Sequence, residues 1–177
     1  MESQQNTMTT ETPNKEEFNK LSDKWTLWAH LPHNTDWSIK SYIPITTFTT
    51  VEETIAVTET LPPILVENCM LFMMREGIKP TWEDPKNRNG GCFSYKVSNK
   101  NVCEVWRDLS FLLVGETISN NGQFVSGVTG ITISPKKNFC IIKIWMKNCD
   151  HQNPAVISII KGLQSQGCLC KKHTPEF

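Results

Sequence analysis

The chain has 177 residues, long enough for one domain with its own core, and carries 18 Lys plus Arg against 18 Asp plus Glu for a formal net charge of +0. Balanced charge excludes the global basic field of a general nucleic-acid coat, so any phosphate contact has to be local. The longest apolar runs, SFLLVG and NFCIIKIW, fall far short of the ~20 residues of a membrane helix, and the opening MESQQNTMTTETPNKEE has neither an apolar signal core nor an Arg-rich amphipathic pattern; a soluble, cytoplasmic protein is expected.

Residues 1–20 are rich in Thr, Gln, Asn and Glu and cannot bury enough apolar surface to offset ordering, which predicts a disordered tail before a single domain over residues 21–177. In KWTLWAHL, Trp25, Leu27 and Ala29 alternate with Lys24, Thr26, Trp28 and His30, a strand period with aromatics on both faces. After the loop PHNTDW, SIKSYIPITTF continues in extended form. TTVEETIAVTETLPP reads as a helix: Thr50 can cap it, Glu53 follows three residues on, and Pro62 and Pro63 stop it. CMLFMMREGIKP reads as a buried strand ending in a Gly turn, RNGG as a turn between strands, and CFSYKV as the next strand. NVCEVWRDLSFLLVGE is the clearest helix, with Val102, Val105, Trp106, Leu109, Leu112 and Leu113 at helical spacing and Gly115 at its end. SNNGQFVSG reads as a loop. GVTGITIS and FCIIKIWM are strands joined by the turn PKKN. NPAVISIIKGLQSQG reads as a last helix, with Asn153 as cap, Pro154 at its first position and Gly167 past its end. The hairpin implies antiparallel pairing, and so an α+β fold with helices packed on one face of an antiparallel sheet.

No enzyme emerges from this pattern. The four histidines at 30, 33, 151 and 173 have no catalytic or metal spacing, and there is no nucleophile elbow, Walker loop or dinucleotide glycine motif. The seven cysteines are scattered and odd in number, which suits reduced thiols; Cys168, Cys170 and His173 lack the spacing of a zinc site, so neither metal nor cofactor is expected.

The six tryptophans say more. Trp25 and Trp106 lie on apolar faces and read as core. Trp37 in NTDWS and Trp82 in KPTWEDP lie in polar, turn-rich segments, where two indoles can sandwich a planar ligand. Base-on-aromatic stacking contributes roughly 1–3 kcal/mol per base, and a cationic ring gains further from the electron-rich indole faces. Glu83 could then accept two hydrogen bonds from the adjacent N1–H and amino donors of a guanine, with the neighbouring Asp84 pointing elsewhere. Taken alone, a Trp-Glu dipeptide reads as a surface turn.

The order of segments KWTLW, DW, TVEE, GIKPTWEDPKNRNGG, VWRDLSFLLVGE and IKIW resembles the eukaryotic translation initiation factor 4E family, the messenger-RNA cap-binding proteins, from about Leu21 to Leu163. The resemblance implies a curved antiparallel sheet with about three helices on its convex face and a 7-methylguanosine cap on the concave side. It places Trp37 and Trp82 on the two faces of the base, Glu83 on N1 and N2, the Trp82 backbone N–H on O6, and Trp145 near the N7 methyl. It implies a protein that binds capped mRNA and promotes translation initiation as a monomer, with a scaffold initiation factor or repressor peptide on the dorsal helices. A cap-occupying repressor or competitor, and a module of the same fold that has lost cap binding, are the alternatives.

Several positions depart from the family pattern. Cys92 stands where an Arg usually follows the paired glycines, and ISPKKNFCIIKIW is longer than the usual hairpin. Strand parity puts Ile141, Lys143 and Trp145 on one face, which makes Lys143 the first candidate for the cap phosphates, with Lys136 and Lys137 at the turn as helpers. On the dorsal surface the partner-binding positions are Val51, Ile55, Arg107 and Val114; Ile55 replaces a usual Trp, Arg107 a usual aliphatic, and a His-Pro-Leu element before the first strand is missing.

Overall fold

The computed structural model describes residues 17–175. Eleven elements carry the fold: strands β1 (Lys20–His30) and β2 (Tyr42–Thr50), helices α1 (Val51–Thr60) and α2 (Pro63–Asn68), strands β3 (Met70–Arg75) and β4 (Gly91–Ser98), helices α3 (Asn99–Val114) and α4 (Gly122–Gly127), and strands β5 (Val128–Pro135), β6 (Phe139–Met146) and β7 (Leu169–Lys172). The seven strands form one curved sheet in the order β2-β1-β3-β5-β6-β4-β7, and every neighbouring pair is antiparallel. This is the expected α+β architecture. Among the described residues no helix is long and apolar enough to cross a membrane.

Alternation along the strands divides the molecule into two apolar layers. Trp25 and Leu27 of β1, Leu71 and Met73 of β3, Ile131 and Ile133 of β5, and Ile142 and Ile144 of β6 face the helices and join Trp106, Leu109 and Leu113 of α3 in the main core. The intervening residues Phe72, Met74, Cys92 and Trp145 face the opposite way and form a smaller cluster, with Trp28, Tyr42 and Trp82 against it. Helix α3 lies across β1, β4, β5 and β6, and α1 and α2 pack beside it.

The local signals behave as their chemistry requires, with informative exceptions. Thr50 and Glu53 close a reciprocal capping box at α1. Pro63 does not stop the helical region; it starts α2 at a position where its missing N–H costs nothing. Helix α3 ends in a Schellman motif, with Thr117 N–H on Leu112 O and Glu116 N–H on Leu113 O, but the left-handed residue is Glu116 at φ 56°, one position after Gly115. Its carboxylate is pinned by Arg75, with Nη1 at 2.6 Å from Oε1 and Nη2 at 3.2 Å from Oε2, which offsets the strain of a non-glycine there.

Two expectations need correction. The predicted helix from Asn153 is only a single turn of 3-10 helix, Pro154–Val156. Asn153 does cap it, but the β-branched run that follows disfavours a helix, Ser158 N–H is taken by Ile118 O, Ile159 points fully into solvent, and Gly162 turns left-handed at φ 86° where a Cβ would press on Val105. SNNGQFVSG is not merely a loop: Asn121 caps Phe124 N–H and α4 buries Phe124 and Val125. The carboxy-terminal CKKH segment contributes strand β7, paired with the beginning of β4. The paired glycines serve both neighbours of β4, since a Cβ on Gly90 would collide with Met146 O of β6 and one on Gly91 with Lys171 O of β7.

Residues 1–16 of the predicted tail lie outside the described residues. Its remainder belongs to the domain: Asn19 N–H and Nδ2 donate to Glu52 at 3.1 and 2.7 Å, and Lys20 pairs with Thr50.

Candidate functional site

Two loops converge on the sheet face opposite the helices. The first joins β1 to β2. Asn34 Oδ1 accepts from Asp36 N at 2.9 Å, Asp36 Oδ1 accepts from Ser38 N at 2.8 Å, and Ser41 Oγ donates to Ser38 O at 2.8 Å. This chain of side-chain turns holds Trp37 outward with 58% of its surface exposed, one face resting on the His30 ring at 4.3 Å between centroids. The bonds from Ser38 hold the Asp36 carboxyl below its ordinary range, so it stays ionised while it organises the turn.

The second loop joins β3 to β4, and its acid at 84 is structural. Asp84 is buried and accepts from Lys79 N at 2.9 Å and from Lys86 N at 2.8 Å. Asn87, also buried, donates to the carbonyls of Lys79 and Thr81 at 3.0 and 2.9 Å and receives the Nδ1–H of His173 on its own carbonyl at 2.8 Å. With those two side chains turned inward, Trp82 and Glu83 are presented outward, and Trp82 stacks on His173 at 5.6 Å with 14° between planes.

A cavity of about 960 Å³ lies between the loops, and Trp37, Trp82, Glu83, Lys143 and Trp145 all line it. Its floor is Tyr42 and Phe72, which meet edge to face at 5.3 Å, with Phe72 likewise against Trp145 at 6.5 Å. Trp145 is fixed by donating Nε1–H to Thr132 Oγ1 at 3.2 Å. Lys143 follows the parity argument: Ile142 and Ile144 are in the helix-side core, while its ammonium lies 5.9 Å from the Trp82 ring. Burial first, then the Glu83 carboxylate, pushes the Tyr42 hydroxyl up, so it remains a donor at neutral pH. Cys92 is buried and its thiol is pushed up to about 11, so it supplies no charge in place of the usual Arg.

Lys136 and Lys137 are not among the residues lining the cavity; they are exposed in the β5–β6 turn, closed by Lys136 N–H on Phe139 O. Lys171 lies in the carboxy-terminal strand β7. Cys92 pairs with Trp145 on one side and Lys171 on the other, which puts Lys171 on the cavity side of the sheet. His30, His173 and Tyr42 were missed as site residues, although His30 shares the alternation of Trp28 in KWTLWAH. On the dorsal helices, Val51 and Ile55 are 38% and 45% exposed, and Ile64 and Leu65 of α2 are exposed as well. Val114 is instead buried in the core at 5% exposure and offers a partner no surface, because the α3 turn carrying it closes over the sheet. Arg107 is held by its neighbour Asp108 at 3.1 Å.

Residues 20–174 match the family model described as eukaryotic initiation factor 4E. The chain is 33% identical over 141 residues to eukaryotic translation initiation factor 4E-2 of Schizosaccharomyces pombe, covering 75% of this chain and 56% of that protein. Against initiation factor 4E of Candida albicans it is 31% identical over 149 residues, covering 77% of this chain and 69% of that one. The chain thus spans little more than half the length of the fission-yeast relative. A schistosome eIF4E solved in complex with m7GpppG and 4E-BP has the same fold, with a TM-score of 0.69, 25% identity, and coverage of 77% of this chain and 76% of that one. A match that runs from the first strand past the last, over the same loops that build the cavity, means that the chain belongs to the eukaryotic initiation factor 4E family.

Proposed function

We propose that this protein binds the 7-methylguanosine cap of messenger RNA and promotes translation initiation in the cytoplasm, by recognition and without covalent chemistry. The observation that carries it is the convergence of two loop indoles, a carboxylate and a lysine on one cavity. Trp37 and Trp82 sandwich the base, Glu83 accepts from N1–H and the amino group, the Trp82 backbone N–H donates to O6, and Trp145 packs near the N7 methyl. The schistosome neighbour solved with m7GpppG supports the ligand class.

Titrating intrinsic Trp fluorescence with 7-methyl-GTP and with GTP tests this. Quenching by the methylated nucleotide at far lower concentration is expected; equal quenching by both, or none, refutes it.

The phosphates fall to Lys143, which lines the cavity, with Lys136, Lys137 and Lys171 as helpers from outside its lining. Lys143→Ala should weaken 7-methyl-GTP several-fold more than the 7-methylguanosine nucleoside, and should flatten the salt dependence of triphosphate binding by the loss of about one counterion-releasing contact. Equal losses for both ligands would remove Lys143 from the phosphate site.

Val51 and Ile55 are proposed to face a scaffold or repressor peptide. A peptide with the family's Tyr-and-Leu motif should bind weakly by isothermal titration, because Ile55 lacks the ring of the usual Trp and Val114 is inaccessible. Tight binding abolished by Val51→Ala would show the ordinary mode.

A further inference from the structure

Each indole of the sandwich has an imidazole behind it. The His30 and Trp37 rings are 4.3 Å apart and only 4° from parallel, and His173 backs Trp82 at 5.6 Å and 14°. We propose that His30 is a specificity-determining positioning residue: its imidazole, stacked on the inner face of Trp37, holds the outer indole face in place for a cationic, methylated base and so raises the preference for it over plain guanine. This rests on the cap reading of the cavity.

His30 is buried, with 2% of its surface exposed, at the end of β1. Its Nε2 lies 2.8 Å from Asp36 O, and a carbonyl oxygen only accepts, so Nε2 carries the hydrogen and the bond fixes the ring behind Trp37. Tyr42 of β2 meets the ring edge-on at 5.2 Å. The groups around it are few. Asp36 and Lys40 of the β1–β2 loop oppose each other in sign, Tyr42 stays a neutral phenol facing Glu83, and β3 contributes Met70, which has no charge. The other brace is different in kind. His173 donates Nδ1–H to Asn87 O, and its burial pushes the ring down, holding it neutral through the range in which a cap would be read.

The consequence follows from the quadrupole of indole. A 7-methylated guanine delocalises a positive charge over its ring and is attracted to the outer face of Trp37 when that face is held parallel to it. Plain guanine has no such charge and gains less from a held ring. Both ligands present the same phosphates, so a change in the ratio of their affinities reports on the base.

The test is the ratio of dissociation constants for GTP and 7-methyl-GTP at pH 7.5 on the wild-type chain, His30→Phe and His30→Ala. In His30→Ala, which removes the brace, 7-methyl-GTP should weaken by roughly three- to tenfold more than GTP. In His30→Phe, which keeps a ring behind Trp37, the ratio should return close to that of the wild type. The wild-type ratio in a folded His30→Ala overturns the proposal, as does an equal loss in His30→Phe. A wild type with no preference for 7-methyl-GTP at pH 7.5 refutes the cap reading itself, and this inference with it.

Discussion

Replacing Trp82 with Ala is expected to weaken binding of a 7-methylated guanine nucleotide by about 1–3 kcal/mol, some five-fold to more than a hundred-fold in Kd, and Trp37→Ala by a comparable amount. Both variants should fold. The loop that carries Trp82 is built by Asp84 and Asn87, whose side chains bind the backbone of Lys79, Thr81 and Lys86, and none of those bonds uses the indole. Trp37 is more than half exposed and rests only on His30 and the cavity edge, so its removal leaves no large hole in the core. Trp82→Leu separates two contributions: it keeps apolar volume but has no π face, and it should lose the methylated-over-unmethylated preference more than it loses general affinity. Cap affinity equal to wild type in a folded Trp82→Ala protein, measured by fluorescence or calorimetry, would remove the sandwich.

Glu83→Ala is expected to cost about 1.5–3 kcal/mol of cap affinity, roughly ten- to a hundred-fold, because two donors of the base lose a charged acceptor. Its melting temperature should stay close to that of the wild type, since no fold-holding hydrogen bond of Glu83 is present to be lost. Asp84 behaves in the opposite way. Asp84 borders the cavity, but its carboxylate is taken up by the loop, where it is 6% exposed and receives two backbone N–H groups. Asp84→Ala leaves those donors unsatisfied and should destabilise the protein by about 2–3 kcal/mol, with cap affinity falling only as far as the loop loosens. The two acids are therefore distinguished by Tm and not by affinity alone. A large drop in Tm for Glu83→Ala, or none for Asp84→Ala, would contradict these roles.

What the sequence determined by itself were features set by nearest neighbours along the chain. Period-two alternation assigned Trp25, Leu27 and Ala29 to one side of β1 and Lys143 and Trp145 to one side of β6, because a strand reverses side-chain direction at every residue. Thr50 and Glu53 announced α1 through a capping box that closes within four residues. The polar settings of Trp37 and Trp82 marked them as rings to be used at a surface. Tertiary structure alone decided the rest. The apolar spacing after Asn153 mimics a helix, yet those residues meet α3 and the Ile118 carbonyl from an irregular path, and contacts with distant segments outweigh a weak local preference. Strand β7 is short and polar and lies against β4 where Gly91 leaves room for the Lys171 carbonyl, a fact about two segments about eighty residues apart. That pairing carries Lys171 to the cavity face and His173 under Trp82, so half of the aromatic bracing of the site comes from a segment with no local signal of its own.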